Sequence, residues 1–269
     1  MTNVDKAGKA HWDRTWGAAP VTTGVDPLDR SLGNYVYRRL ATYYSALLSH
    51  AALGDRRLVE VGCARSRWLP YFHKEFGLQV TGVDYSELGV EQTRRLLASE
   101  GVPGEVHHAD LFAPPPSLVE RFDVGFSNGL AEHFVDTAHC IGALAHLLKP
   151  GGLLITAVPN LAGAVGTVQK RLNRPIYDIH VPLDVAALRA AHERAGLTVV
   201  DARYLVFSNF GVVNLSGLAV TPAFLAKRIA LALLLRLSMA SWLVEEHAAE
   251  LPGNRWTSPY VLCVARKPL

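Results

Sequence analysis

The segment Leu58-Val59-Glu60-Val61-Gly62-Cys63-Ala64-Arg65-Ser66 runs a short apolar stretch into a glycine and then into small residues. An aliphatic run of this length, cut by glycine, predicts a buried strand over Leu58–Gly62 that turns into a helix covering 67–76. The glycine permits a tight turn. The small residues after it let the backbone approach a ligand, and the start of the helix offers unpaired N–H groups. The spacing is that of a GxGxxG fingerprint in which only the first glycine is kept. Taken alone it is equally an ordinary strand-to-helix turn.

Outward from this segment the texture repeats. Short apolar runs predict strands at Gln79–Asp84, Glu105–Ala109, Phe122–Ser127, Gly152–Ala157, Leu197–Phe207 and Tyr260–Arg266. Amphipathic stretches at 87–100, 137–148 and 184–195 predict the intervening helices. This alternation is that of βαβ units and a parallel sheet. Lys149-Pro150-Gly151-Gly152 ends one helix and turns into the next strand. Upstream, Leu32, Tyr35, Val36, Leu40, Tyr43, Tyr44, Leu47 and Leu48 recur at threes and fours, so residues 1–54 are expected to form a helical cap, broken at Asp26-Pro27 and Gly33. Residues 55–269 then form one domain. Within it, 208–256 is an insertion far above the usual ~2–6 residue connection. The expected fold is α/β: a Rossmann-like, mostly parallel seven-stranded sheet with helices on both faces, an N-terminal helical cap and a helical insertion before the last strand.

Composition narrows the function classes. The chain has 269 residues, 49% of them hydrophobic, with 27 Lys and Arg against 24 Asp and Glu. That excludes a disordered or collagen-like chain. The basic residues are scattered, which argues against nucleic acid as a partner. Cys63, Cys140 and Cys263 lie too far apart for a disulfide framework or a CxxC zinc site, and no clustered ligand set is visible, so no metal is expected. A reducing cytoplasm is the simplest compartment. Met1–Trp16 lacks the apolar core of a secretory leader.

The polar candidates fall at strand ends. Asp84 closes the second strand 22 residues after Gly62, a spacing at which a carboxylate can accept both hydroxyls of a ribose. Asp110 follows the third strand, and Ser127-Asn128-Gly129-Leu130-Ala131-Glu132-His133 follows the fourth. Open α/β sheets bind their ligands at the carboxyl ends of the strands.

Over about residues 55–205 the sequence resembles the class I S-adenosylmethionine-dependent methyltransferases. Glu60-x-Gly62-x-Ala64-x-Ser66 is similar to that family's acidic-x-Gly-x-Gly-x-Gly loop, Asp84 to its ribose-binding acid and Asp110 to its adenine contact. Ser127–His133 resembles the segment after the fourth strand, often ending Glu-His, and the Lys-Pro-Gly-Gly turn is similar too. The resemblance implies methyl transfer from S-adenosylmethionine to a small, partly apolar metabolite in specialised metabolism, leaving S-adenosylhomocysteine. It implies a cofactor site in which Glu60, Gly62, Cys63 and Ala64 shape the methionine end, Asp84 and Tyr85 hold the ribose, Asp110 and Leu111 flank the adenine, and Ser127 and Asn128 close the rim.

His133 and His180 are the candidate bases, each with a competing role in ordering a loop or in packing. His107 and His108 are read as structural. Trp16, Tyr35, Tyr37, Tyr177, Phe207 and Phe210 are the candidate substrate walls, with core packing as the alternative for each. The replacement of two loop glycines by Ala64 and Ser66 keeps open a catalytically silent methyltransferase-like partner or regulatory protein. It also disfavours a nicotinamide oxidoreductase, whose pyrophosphate needs closer backbone approach.

The apolar helix expected at 222–247 has 16 residues from Ile229 to Val244, about 24 Å, against a bilayer core of ~30 Å. Three functional readings compete for it, a lid over an apolar substrate, a homodimer surface, and a membrane-surface helix using Lys227, Arg228 and Arg236, beside the plain one of a helix that merely caps the sheet. The lid is favoured and membrane contact least. Whether the chain is a monomer or a homodimer is left open.

Overall fold

The computed structural model describes residues 4–17, 23–49 and 56–269. Parts of the predicted cap, at 1–3, 18–22 and 50–55, lie outside them. At the centre is a seven-stranded sheet of order β3-β2-β1-β4-β5-β7-β6. Its strands are β1 (Arg57–Val61), β2 (Gln79–Asp84), β3 (Gly104–His108), β4 (Phe122–Asn128), β5 (Leu148–Pro159), β6 (Thr198–Leu205) and β7 (Tyr260–Arg266). The first five are mutually parallel. The last strand inserts antiparallel between β5 and β6. Every strand predicted from the sequence is present. The main difference is that β5 begins at Leu148, which pairs with Phe122 before an irregular stretch, and regular pairing with β4 resumes at Leu153.

Two apolar layers sandwich the sheet. On one face α2 (Tyr35–Ser49) and α3 (Trp68–Phe76) pack Tyr44, Trp68 and Phe72 against Phe126 and Ile155. On the other, α5 (Thr137–His146) and α8 (Val185–Arg194) bury Ile141, Leu144 and Leu188 against Val59, Leu154 and Cys263. The crossover helix α4 (Glu87–Ser99) starts at Ser86, whose Oγ accepts the Gly89 N–H. His107 and His108 lie on the edge strand β3, where His107 meets Glu105 and His108 meets the Tyr85 carbonyl.

The N-terminal cap is less helical than expected. Among the described residues it consists of α1 (Lys9–Gly17), an extended stretch, and a single 3₁₀ turn leading into α2. Between β5 and α8 lie two short helices the periodicity did not mark, α6 (Ala164–Leu172) and α7 (Arg174–Asp178). The insertion holds the 26-residue α9 (Pro222–His247). Its inner face docks through Trp242, which stacks on Tyr35 of α2 at 5.5 Å between centroids. Only Ser238 and Trp242 of α9 are buried. The helix packs on the N-terminal cap and the flank of the sheet, and its Leu231 joins a small apolar cluster with Leu161, Val165 and Val213. Among the described residues, no helix is long and apolar enough to cross a membrane.

Candidate functional site

The strand order reverses between β1 and β4, and the loops after those strands part to leave a crevice. After Val61 the chain turns sharply at Gly62, whose φ of +75° is costly for any side chain. A Cβ there would also press on Leu130, 3.3 Å from its Cδ1. The Gly62 N–H donates to Val83 O, and the Ser66 N–H closes the turn on Cys63 O.

Asp84 braces this loop. Its Oδ2 accepts the Ala64 N–H at 2.9 Å and its Oδ1 accepts the Ser86 N–H at 2.9 Å. Each carboxylate oxygen keeps a further lone pair, and the side chain still lines the crevice. Burial raises its pKa, while the two backbone donors oppose the rise. Glu60 is buried behind the loop, and burial lifts its carboxyl to about 8. Its Oε2 has no hydrogen-bond partner within the protein.

Ala64 stands where the glycine-rich pattern has its second glycine. Its methyl points into the start of α4, because a Cβ built on Gly89 would meet Ala64 Cβ at 2.6 Å. Gly89 thus supplies the room that the loop gave up. Ala64 does not line the crevice.

The crevice is a cavity of about 230 Å³ between Gly62, Asp84, Tyr85, Asp110, Leu111 and Leu130. Asp110 accepts the Phe112 N–H, which turns Leu111 and Phe112 into an apolar wall. A buried carboxylate beside a glycine turn, with an apolar slot at the far end, fits a nucleoside joined to an amino-acid tail. Cys63 is fully buried and faces Gly82 and Thr93 O–H, the latter bonded to its carbonyl. Ser127 is buried, with no hydrogen-bond partner for its Oγ, and Asn128 is exposed at the end of β4. Neither Ser127 nor Asn128 lines this cavity.

A second cavity of about 130 Å³ lies across the 3₁₀ turn Ala131–His133. His11, Trp12, His133, Gln169, His180 and Asn214 are among its walls. Leu130 and Phe134 face the first cavity while His133 faces the second, so this one turn separates them. The sequence offers Trp12 as an aromatic wall and Asn214 as a polar handle of a substrate pocket, and both line this cavity; Gln169 it does not mark, because only folding brings α6 beside them.

His133 and His180 stand side by side, ring centroids 4.4 Å apart. His133 Nδ1 lies 2.9 Å from Ile179 O and His180 Nδ1 lies 2.6 Å from Ile176 O. A carbonyl only accepts, so each Nδ1 carries the proton and each Nε2 keeps its lone pair. Burial holds both imidazoles well below their usual range, and each is neutral at neutral pH.

The N-terminal segment closes over both cavities. Asp5 pairs as a bridge with Phe134, and the Lys6 N–H donates to His133 O. Tyr85 O–H donates to Asp5 Oδ2, Ser86 O–H to Asp13 Oδ1, and Gln92 Nε2–H to Trp16 O. Trp12 presents its ring to the edge of His133 and stacks on Trp16.

The other aromatic candidates divide. Tyr177 and Phe210 join a small apolar cluster with Leu161 and Val165 beside the second cavity. Tyr35 and Tyr37 line neither cavity and are corrected to packing residues: Tyr35 is buried against Trp242, and Tyr37 lies beneath the Arg67 guanidinium and beside Trp68. Phe207 lines neither cavity.

Residues 58–152 match the model of a methyltransferase domain family. Among curated relatives, the ubiquinone biosynthesis O-methyltransferase of Stutzerimonas stutzeri (strain A1501) is 28% identical over 168 residues, 59% of this chain and 72% of the relative. That of Pseudomonas fluorescens (strain Pf0-1) is 30% identical over 166 residues, 58% of this chain and 70% of the relative. Among solved structures, the [4+2]-cyclase SpnF superposes with a TM-score of 0.62 at 17% identity, covering 100% of this chain and 98% of its own. The last is a likeness of fold alone.

Proposed function

This chain belongs to the class I S-adenosylmethionine-dependent methyltransferases, and from that premise we propose that it methylates a hydroxyl of a small, partly apolar metabolite. The observation that carries the reading is the buried Asp84 carboxylate at the carboxyl end of β2, facing Gly62 across a cavity whose far wall is Asp110 and Leu111. Bound there, S-adenosylmethionine supplies an activated methyl on a sulfonium and needs no further activation of the donor.

In this reading Asp84 keeps its loop-bracing bonds and accepts ribose hydroxyls on its remaining lone pairs, with Tyr85 beside it. Leu111 and Asp110 flank the adenine. Gly62, with Glu60, Cys63 and Ala64 behind it, shapes the methionine end, and Ser127 and Asn128 stand behind the cavity at the end of β4. The acceptor is held in the second cavity, and the turn Ala131–His133 that divides the cavities has to give way for its hydroxyl to meet the methyl. There the Nε2 of His133 or His180 takes the hydroxyl proton as the oxygen attacks, since a neutral imidazole with a free lone pair is a competent base. Trp12, on α1, walls the second cavity and, backed by Trp16 stacked on it, excludes water from the reacting atoms. Tyr177 and Phe210 sit behind the acceptor wall.

The O-methyl assignment leans on the relatives, which are named for O-methylation in ubiquinone biosynthesis. A small apolar metabolite leans on the size and lining of the second cavity. The experiment is calorimetric titration of the purified protein with S-adenosylmethionine and S-adenosylhomocysteine, with NADH as control, followed by labelled-methyl transfer to a panel of phenols and catechols. Micromolar binding of both sulfur nucleosides and label in an ether product is the expected result. Binding without transfer to any nucleophile would favour a silent partner protein built on the same fold.

A further inference from the structure

We infer that Glu132, His133 and His180 form a site for one first-row divalent cation of the zinc, cobalt or iron type. The three side chains converge from different parts of the fold. Glu132 and His133 sit on the turn after β4, and His180 on the loop after α7. One ligating atom from each lies within 4.8 Å of the other two. The Val181 N–H donates to Glu132 O at 2.6 Å, which ties the two loops together.

Two features set this cluster apart from a chance meeting of polar residues. The first is orientation. Both rings give their Nδ1–H to a main-chain carbonyl, Ile179 O for His133 and Ile176 O for His180. Metal-binding histidines are held in this way, with the far nitrogen donating to a fixed acceptor and the near one aimed at the ion. The second is the orphaned carboxylate. Glu132 is 2% exposed and its Oε2 has no hydrogen-bond partner in the protein. Glu132 Oε1 lies 3.9 Å from His133 Nε2, and because a buried carboxyl with an unpartnered oxygen is costly, a cation seated between this carboxylate and the two imidazoles would offset that cost.

The donor set selects the ion. Two imidazoles and one carboxylate suit zinc, cobalt, iron or manganese, and leave coordination positions open towards the cavity. Magnesium prefers oxygen ligands. An acceptor hydroxyl coordinated at an open position would release its proton to water more readily. A coordinated Nε2 cannot also take a proton, so in the loaded site the cation replaces the imidazole base proposed above. The cation site shares that proposed acceptor pocket, but its existence does not depend on methyl transfer.

The test uses untagged full-length protein stripped with a chelator and titrated with cobalt(II), read by visible absorption. The expected result is one saturating equivalent with a d–d spectrum of mixed nitrogen and oxygen ligation, displaced by zinc. His180→Gln and Glu132→Gln, each checked for native circular dichroism, should weaken cobalt binding at least tenfold. Cobalt binding without saturation at one equivalent, or unchanged affinity in a folded His180→Gln protein, overturns the inference. If one variant fails to fold, the other and the wild-type spectrum decide it. S-adenosylhomocysteine affinity, measured on the same samples, separates the two readings: nucleoside binding without cobalt binding defeats the cation site alone, and the reverse defeats only the proposed cofactor site.

Discussion

Asp84 and Ala64 are joined by a hydrogen bond of 2.9 Å from the Ala64 N–H to the Asp84 carboxylate, across the crevice floor between β1 and β2. The acid at the end of β2 therefore shapes the loop that it faces. Its second oxygen fixes the start of α4 through Ser86 N–H. One side chain sets the spacing of both crevice walls.

Asp84→Ala is expected to lose both roles. Two buried backbone donors would be left unpaired, each costing about 1–3 kcal/mol. S-adenosylhomocysteine affinity should fall at least tenfold. Asp84→Asn retains one carbonyl acceptor and should recover part of the stability without the ribose contact. Thermal unfolding with and without nucleoside measures the two effects separately; equal nucleoside stabilisation of Asp84→Ala and wild type would refute the ribose assignment.

Gly89→Ala should damage the loop from behind. Its new methyl would stand 2.6 Å from Ala64 Cβ, with Asp84 Cγ at 3.4 Å. Overpacking of this kind costs about 1–3 kcal/mol. The double variant Ala64→Gly with Gly89→Ala should recover most of the loss, since the pair exchanges one methyl between facing positions. A double-mutant cycle by chemical denaturation reads the coupling. Additive effects would show that the two residues do not share the space.

His180→Gln is expected to lower kcat by about 10²–10⁴-fold if its Nε2 serves as the base. The KM for S-adenosylmethionine should change little, because His180 lines the second cavity and not the first. Equal losses in nucleoside binding and in turnover would instead mark a folding role.

Glu60 provides a pH signature in stability. Burial raises its folded pKa to about 8 from an ordinary 4.5, so the folded protein holds a proton that the unfolded chain releases. Its contribution is fully present below pH 4.5 and is lost as pH rises to about 8. The buried His192 acts in the opposite direction. Burial lowers its folded pKa to about 4 from 6.5, so stability is lost as pH falls from 6.5 towards 4. Glu60→Gln should therefore make the alkaline limb of a midpoint-versus-pH profile shallower, with the equally raised Glu132 supplying the remainder, and leave the acid limb in place. An unchanged alkaline slope in that variant would exclude Glu60 as its source.

The strand-and-helix alternation, the turn at Gly62 and the positions of Asp84 and Asp110 at strand ends were legible along the chain. These follow from local chemistry: apolar runs of strand length, glycine where φ is positive, and polar residues where strands stop. The short helices α6 and α7 were not, because the first, though amphipathic, starts after Gly163 with no capping side chain to announce it and the second is little more than one turn. The aromatic residues were legible as a class but not in their places. Tyr35 and Trp16 are both aromatic residues of the N-terminal segment, yet Tyr35 stacks on Trp242 while Trp16 stacks on Trp12, the one of the pair that walls the second cavity.

By itself the sequence determined the α/β class, the order of its elements and the loop chemistry of the first crevice, since each depends on residues within a few positions of one another. Only the tertiary structure decided that Gly89 houses the Ala64 methyl, that α9 lies off the crevice, and that Glu132, His133 and His180 converge. Those outcomes depend on which faces of distant elements are pressed together. That is set by burial of the whole apolar surface, and no local pattern records it.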